Sequence, residues 1–388
     1  VGLVIQRGPG AYRYMDLCAE VDRVIAVQLA FGLCMVLFGA ELLTNAVEWL
    51  GVKLGLGEGA VGSVLAALGT ALPETAVPMT AIVLGDGRDA EQVGIGGILG
   101  APFLLVTLGG LVLALAAFLF RAGRPSQGIA VHGGVFARDL AFFLVGFSLS
   151  LVPAAWPIPA LKLPTACLLA LWYGAFVRAH LRDRPAGGPQ PELRPLYLSL
   201  RSDHPATASI VVQLACALGL VVGGAHLLTA GVETLAASME MPAFLLSALI
   251  IPIATELPET LNSVVWMRDR KDVLAVGNIT GAMVFQGTLV PAIGMLFTDW
   301  TLTRPAWWTA GLTLSAAAFL LASVCATSRI EPWALCFASL AYFALPFVAL
   351  EPHALPGSLR LGLAAAMLTI SAVGAAMLWR RGPCRSRP

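Results

Sequence analysis

The 388 residues are 58% apolar and 12% charged, with a mean hydropathy of +0.82, against about 25% charged side chains in an average soluble domain. That balance excludes a soluble globular fold and points to a polytopic membrane protein. A net charge of +1, with the arginines set between apolar segments, excludes nucleic acid as a partner, and seven cysteines without CxxC spacing predict neither a zinc site nor a disulfide framework.

Residues 1–23 hold Arg7, Arg13, Asp16, Glu20, Asp22 and Arg23; they contain no apolar h-region, so no cleaved leader is expected there. A bilayer core of about 30 Å needs about 20 apolar residues per helix. Runs of that kind are predicted at 24–47, 59–84, 93–120, 139–157 and 161–178, and again at 207–236, 242–267, 273–298, 305–326 and 332–350. One more, at 358–379, has no counterpart in the first half. The predicted fold class is therefore all-α and polytopic, an inverted 5+5 transmembrane repeat with one additional C-terminal helix. Its units are an extracytoplasmic segment (1–23), a first repeat (24–178), a Pro, Gly and charge-rich cytosolic linker (179–206), a second repeat (207–350), and the extra helix with its basic tail (351–388).

Alternating the loops between two sides collects most of the basic residues, including Lys53, Arg121, Arg124, Arg138, Arg178, Arg194, Arg268, Arg270, Lys271, Arg329 and Arg380, on one of them. Basic residues favour the cytoplasm. The expected orientation is N-terminus outside and C-terminus cytoplasmic, in a plasma or bacterial inner membrane. Five spans per half is an odd number, so the halves must enter the bilayer with opposite orientation.

The halves carry the same motif. Thr70-Ala71-Leu72-Pro73-Glu74-Thr75 recurs as Thr255-Glu256-Leu257-Pro258-Glu259-Thr260, and Gly39-Ala40-Glu41-Leu42-Leu43-Thr44 as Gly224-Ala225-His226-Leu227-Leu228-Thr229, both 185 positions on. Each copy places a carboxylate inside lipid beside a helix-breaking proline. An intramembrane carboxylate costs at least about 2.5 kcal/mol, and two at equivalent places predict a function in moving ions. Pro73 and Pro258 are expected to open their helices and leave the carbonyls near Ala67 and Pro252 without helical partners. Thr70 and Thr255 precede Glu74 and Glu259 by one turn and supply hydroxyl oxygens. Two such segments across a two-fold axis would form an all-oxygen site of the kind Ca²⁺ prefers, and Na⁺ to a lesser degree. Downstream, Gly96-Gly97-Ile98-Leu99-Gly100-Ala101 and Gly277-Asn278-Ile279-Thr280-Gly281-Ala282 would let helices approach closely beside the motifs.

On these residues the chain resembles the cation/calcium exchanger superfamily, in particular the sodium/calcium exchanger membrane region with its two inverted alpha repeats. The resemblance covers residues 24 to 350. Gly69-Thr70-Ala71-Leu72-Pro73-Glu74 differs at one position from the family's Gly-Thr-Ser-Leu-Pro-Glu motif, and Gly277-Asn278-Ile279-Thr280-Gly281 keeps most of its Gly-Asn-x-x-Gly-Ser-Asn motif. It implies a ten-helix fold, to which 358–379 is an addition. It also implies an antiporter whose ligands are Glu74, Glu259, Thr70 and Thr255, with the carbonyls of Ala67 and Pro252.

The departures are as specific. The motif serines are Ala71 and Glu256, the later serines are Ala101 and Ala282, and two polar positions are Leu105 and Gln286. Several oxygens that the family uses for sodium are thereby lost and one carboxylate is gained, so that Glu256 and Gln286 join the expected metal-site residues. Glu256 lies three residues before Glu259, on the same helical face; two carboxylates in low dielectric favour sharing a proton. The expected activity is exchange of Ca²⁺, or a related cation, for H⁺ or for fewer Na⁺ ions than its relatives use. The alternative placing of Glu256 turns it away from the site toward His226. Glu41 and His226 are each expected to be either a local hydrogen-bond partner or a gate, and Glu48 and Glu233 to be interfacial. The expected partners are the lipid bilayer and inorganic cations. No resident cofactor is expected, since Ca²⁺ and Na⁺ or H⁺ are cargo. The absence of HExxH, of a Ser nucleophile paired with His, and of Asp clusters argues against an enzyme. A second reading, built on the lost polar positions, is a paralogue that binds a cation for sensing or structure without moving it.

Overall fold

The computed structural model describes residues 9–53, 66–121, 129, 133–182, 194–200, 205–350, 367 and 369–370. Among these every regular element is helical, apart from one isolated bridge between Ile129 and Ile330. The first half comprises α1 (Pro9–Lys53), α2 (Ala66–Leu84), α3 (Gly87–Leu119), α4 (Gly133–Ser150) and α5 (Lys162–Arg182). In the second half follow α6 (Thr207–Ser238), α7 (Ala243–Thr255), α8 (Leu257–Arg268), α9 (Asp272–Gln286), α10 (Leu289–Phe297), α11 (Arg304–Thr327) and α12 (Pro332–Ala349). Among the described residues eight stretches are long and apolar enough to cross a membrane, and two shorter apolar helices, Glu74–Leu84 and Ala243–Ile253, hold the second place in each half. The span expected at 358–379 lies outside the described residues, apart from helical residues 367, 369 and 370.

Helix packing obeys an approximate two-fold axis. α4 packs on α9 as α11 packs on α3, and α5 packs on α10 as α12 packs on the last part of α3, while α1 with α6 and α4 with α11 pair with their own counterparts. α1 and α6 run antiparallel: Gln28 Nε2 donates to Leu227 O at 3.2 Å near one end, and Gln213 Nε2 to Leu42 O at 3.0 Å near the other. Glycine permits this crossing. A Cβ on Gly224 would stand 2.7 Å from Gly32 O, and one on Gly32 2.9 Å from Gly224 O.

The loop ends fall into two groups. At one end Asn45 and Trp49 hold the carbonyls of Arg194 and Pro195 in the linker, and Ile129 pairs with Ile330. At the opposite end Lys162 Nζ donates to Thr298 O at 2.8 Å and Asp299 N to Glu91 Oε1 at 3.2 Å. These are the two sets of loops that arginine placement separates.

Three expectations need correction. α2 continues unbroken through Pro73, whereas the second copy breaks at Glu256 between α7 and α8. A proline removes one hydrogen bond, which helices packed in a membrane tolerate; at Pro258 the chain instead starts a new helix, where the missing N–H costs nothing. Second, close approach by the small-residue segments holds only in the first half. Cβ atoms on Gly96 or Gly100 would run into Phe244 O and the Ala248 backbone of α7, but Gly277 and Gly281 face open space. Third, the spans expected at 93–120 and 273–298 are not uninterrupted helices, each being distorted at the equivalent positions Leu105 and Gln286. Leu105–Gly109 is a π-helical turn within α3, and after Gln286 the chain breaks at Gly287 and Thr288 before α10. Deformations of this kind concentrate at functional sites.

Candidate functional site

The break at Glu256 decides where three carboxylates go. Glu256 itself sits in the non-helical step between α7 and α8 (φ −87°, ψ −4°), and Glu259 follows in the first turn of α8. α2 brings Glu74 from the other half. One carboxylate oxygen from each of Glu74, Glu256 and Glu259 lies within 4.8 Å of the other two, and all three residues are buried. α9 ends at the same place with Gln286, whose amide nitrogen donates to Glu74 Oε2 at 2.6 Å and to Glu256 Oε1 at 2.8 Å. A single carboxamide therefore links the two repeats.

This cluster is rich in acceptors and poor in donors. Glu74 Oε1, Glu256 Oε2, Glu259 Oε2 and Gln286 Oε1 are buried without a hydrogen-bond partner. Two ionised carboxylates about 5 Å apart repel by roughly 3 kcal/mol at an effective dielectric near 20, and one amide cannot neutralise three of them. Such a set calls for a cation or for protons. A hard divalent cation that takes 6 to 8 oxygens suits carboxylates of this spacing.

The expected site residues separate into those the fold gathers and those it does not. Glu74, Glu259, Glu256 and Gln286 meet. Glu256 turns into the cluster and not toward His226, which is exposed. Thr255 is buried, but its hydroxyl leans back to Ile251 O at 3.4 Å, as β-hydroxyls in helices do. The Pro252 carbonyl is not free, because it accepts the Glu256 amide at 2.9 Å. Ala67 precedes Glu74 by seven helical residues, about 10 Å along the axis, and its side chain, like that of Thr70, lies outside the described residues. Gln286 points its nitrogen and not its oxygen at the carboxylates, so in this arrangement it acts as a donor and not as a cation ligand. Leu105, buried at the π turn, contributes no polar atom.

Sequence reasoning missed two supports. Asn278 Nδ2 donates to Glu259 O at 3.2 Å and to Ser263 Oγ at 3.4 Å, tying α9 to the turn that carries Glu259. Its place in the Gly-Asn motif was the available signal. Asp139, buried in α4, accepts the Thr280 hydroxyl at 2.8 Å; an Asp at the head of the apolar run at 139–157 was the hint. Glu41, by contrast, is a local partner: it accepts the Arg194 guanidinium at 3.1 Å and the Tyr197 hydroxyl at 2.7 Å, and is half exposed.

The family model described as sodium/calcium exchanger protein matches residues 24–181 and 209–379. A relative from Alkalimonas amylolytica named as an antiporter, CaxA, is 24% identical over 290 residues, covering 70% of this chain and 81% of its own. The inner membrane protein YrbG of Escherichia coli K12 is 25% identical over 275 residues, covering 70% and 79%. Among solved structures, the H⁺/Ca²⁺ exchanger CAX superposes with a TM-score of 0.64 at 17% identity over 92% of this chain and 88% of its own. YfkE gives 0.59 at 14% identity over 84% and 92%. These two structures establish a shared fold.

Proposed function

Because this chain belongs to the sodium/calcium exchanger protein family, whose members are cation antiporters and not enzymes, we propose that it moves Ca²⁺ across the membrane by alternating access in exchange for protons. The buried trio of Glu74, Glu256 and Glu259 carries this reading. Glu256 stands where a serine is expected, and Ala101, Leu105 and Ala282 where further oxygen donors are expected; these losses take away sodium ligands while the third carboxylate adds proton capacity. One Ca²⁺ and two H⁺ bring the same charge into the cluster, so either load relieves the same repulsion. The relatives' names favour cation exchange, one of them with H⁺ as the partner ion. Arginine placement favours an N-terminus outside and a cytoplasmic C-terminus. The ions are cargo, and the reading needs no resident cofactor.

The test is Ca²⁺ uptake into proteoliposomes under an imposed pH gradient and, separately, a Na⁺ gradient. The pH gradient is expected to drive uptake more strongly. Glu74→Gln and Glu259→Gln each remove one charged contact, about 1.5–3 kcal/mol, and are expected to weaken Ca²⁺ binding by about 10- to 100-fold. Uptake indifferent to both substitutions would remove the site. Uptake driven only by Na⁺ would reverse the choice of counter-ion.

A further inference from the structure

Glu233, near the end of α6 opposite the linker, stands among other acids. The charged groups that act on it are Asp89 and Asp86, at the start of α3, and His226 two turns back on its own helix. Arg88, between the two aspartates in sequence, is exposed and is not among them. Asp86 holds the N-cap position of α3 but makes no cap hydrogen bond through its side chain, although that is the usual service of an Asp there. One turn deeper on each helix lies a buried oxygen without a hydrogen-bond partner: Thr229 Oγ1 on α6, whose residue is 3% exposed, and Gln92 Oε1 on α3. Thr229 precedes Glu233 by four residues and Gln92 follows Asp89 by three, so each shares the face of its acid. α3 begins at this end and α6 finishes here, and the two helices touch. Both steps therefore lead the same way, from carboxylates at the mouth to unpaired oxygens beneath them.

The internal repeat gives an independent indication of what such a stripe holds. His226, Thr229 and Glu233 correspond to Glu41, Thr44 and Glu48 on α1, 185 positions earlier. There the acids have a cationic group in place: the Arg194 guanidinium stands 3.1 Å from Glu41 Oε1, and its charge also bears on Glu48. Linker residues 194–200 dock at that end, so at the opposite end the equivalent stripe is left to a soluble cation. We propose that Asp86, Asp89 and Glu233, backed by the Thr229 hydroxyl and the Gln92 amide oxygen, form a second cation site, where a hydrated divalent ion is collected on its way to Glu74, Glu256 and Glu259. Among the described residues only the trio brings three acidic ligand atoms within 4.8 Å of one another, while Asp86 and Asp89 are exposed and Glu233 is half-buried. The outlying site therefore keeps water on its ion and binds weakly, at about 10⁻⁴–10⁻³ M. Its contribution is to raise the ion's local concentration, which charges in a mouth do without holding the ion fast.

Delivery to the trio rests on the exchange reading, whereas binding at the mouth does not, and two measurements separate them. In the first, Mn²⁺ is titrated into the full chain in nanodiscs, methyl-labelled on threonine, with Glu74→Gln and Glu259→Gln present to weaken the trio; Thr229→Val assigns the Thr229 signal. That signal is expected to broaden at about millimolar Mn²⁺. A carboxylate about 6 Å from a divalent ion contributes about threefold to its affinity at physiological salt, so adding Glu233→Gln and Asp89→Asn together should raise the required Mn²⁺ by about tenfold. In the second, the chain is reconstituted in one orientation with its trio intact. Glu233→Gln with Asp89→Asn should then raise the half-saturating Ca²⁺ by about tenfold for ion offered on this side, and leave it unmoved for ion offered on the linker side. No broadening of Thr229, or broadening that ignores both substitutions, overturns the site. Broadening together with equal half-saturation shifts on the two sides, or none on either, overturns delivery. A wild type that carries no Ca²⁺ under any gradient, yet shows the broadening, overturns the exchange reading and leaves the site standing.

Discussion

Replacing Gln286 with leucine isolates what the amide contributes when no cation is present. The side chain keeps roughly its volume but loses both donors, at 2.6 Å to Glu74 and 2.8 Å to Glu256. Hydrogen bonds to charged acceptors are each worth about 1.5–3 kcal/mol, so the cation-free protein should lose about 3–6 kcal/mol. Two more carboxylate oxygens then join the three already without partners. In the loaded protein those oxygens face the cation, and the substitution costs far less. The penalty therefore falls on the empty state, and the apparent Ca²⁺ affinity rises by about tenfold or more. Melting in detergent with chelator, repeated in saturating Ca²⁺, reads both effects: the variant should melt about 5 °C lower without the ion and recover most of the gap with it. A variant that melts like wild type in chelator and binds Ca²⁺ more weakly would refute this, and would make Gln286 Oε1 a ligand in a rotated amide.

Glu256→Ser restores a hydroxyl and takes one charge from the cluster; uptake driven by a pH gradient should fall by about tenfold, one lost charged contact, and unchanged proton dependence would refute the role given to that carboxylate. Gly100→Ala pushes a Cβ into the Ala248 backbone and should destabilise by about 1–3 kcal/mol, whereas Gly281→Ala faces open space and should be neutral or gain up to about 1 kcal/mol; equal melting shifts would refute the packing asymmetry. Asn45→Ala removes the side chain that holds Arg194 O, Pro195 O and Tyr197 N, and should speed proteolytic cutting of the linker. Tyr197 donates to Glu41, which pushes the phenol above its ordinary value of 10.0. Its contribution to linker docking is thus full below that value and disappears as pH rises through the elevated one. Alkaline pH should therefore accelerate linker cleavage in the wild type, and Tyr197→Phe should abolish that dependence.

Much of this molecule is written in its periodicities. Hydropathy alone separates the helices, because each must satisfy its backbone internally and clear the bilayer. The repeated Pro-Glu motif singles out Glu74 and Glu259, because a charge in lipid has no other common reason to recur. Local sequence could not decide facing and partners. Glu256 had two open directions at a proline, and only the break between α7 and α8 turns it toward Glu74 of the other half. The same motif stays helical at Pro73, since packing around α2 outweighs the one hydrogen bond that proline removes. Gln286 is a donor because two carboxylates from elements 212 and 30 residues away converge on its nitrogen, and Asn278 and Asp139 acquire meaning only through helices brought beside them. Residue type and spacing thus determine which groups must be buried, while the order of helix packing, a property of the whole chain, decides which of them meet.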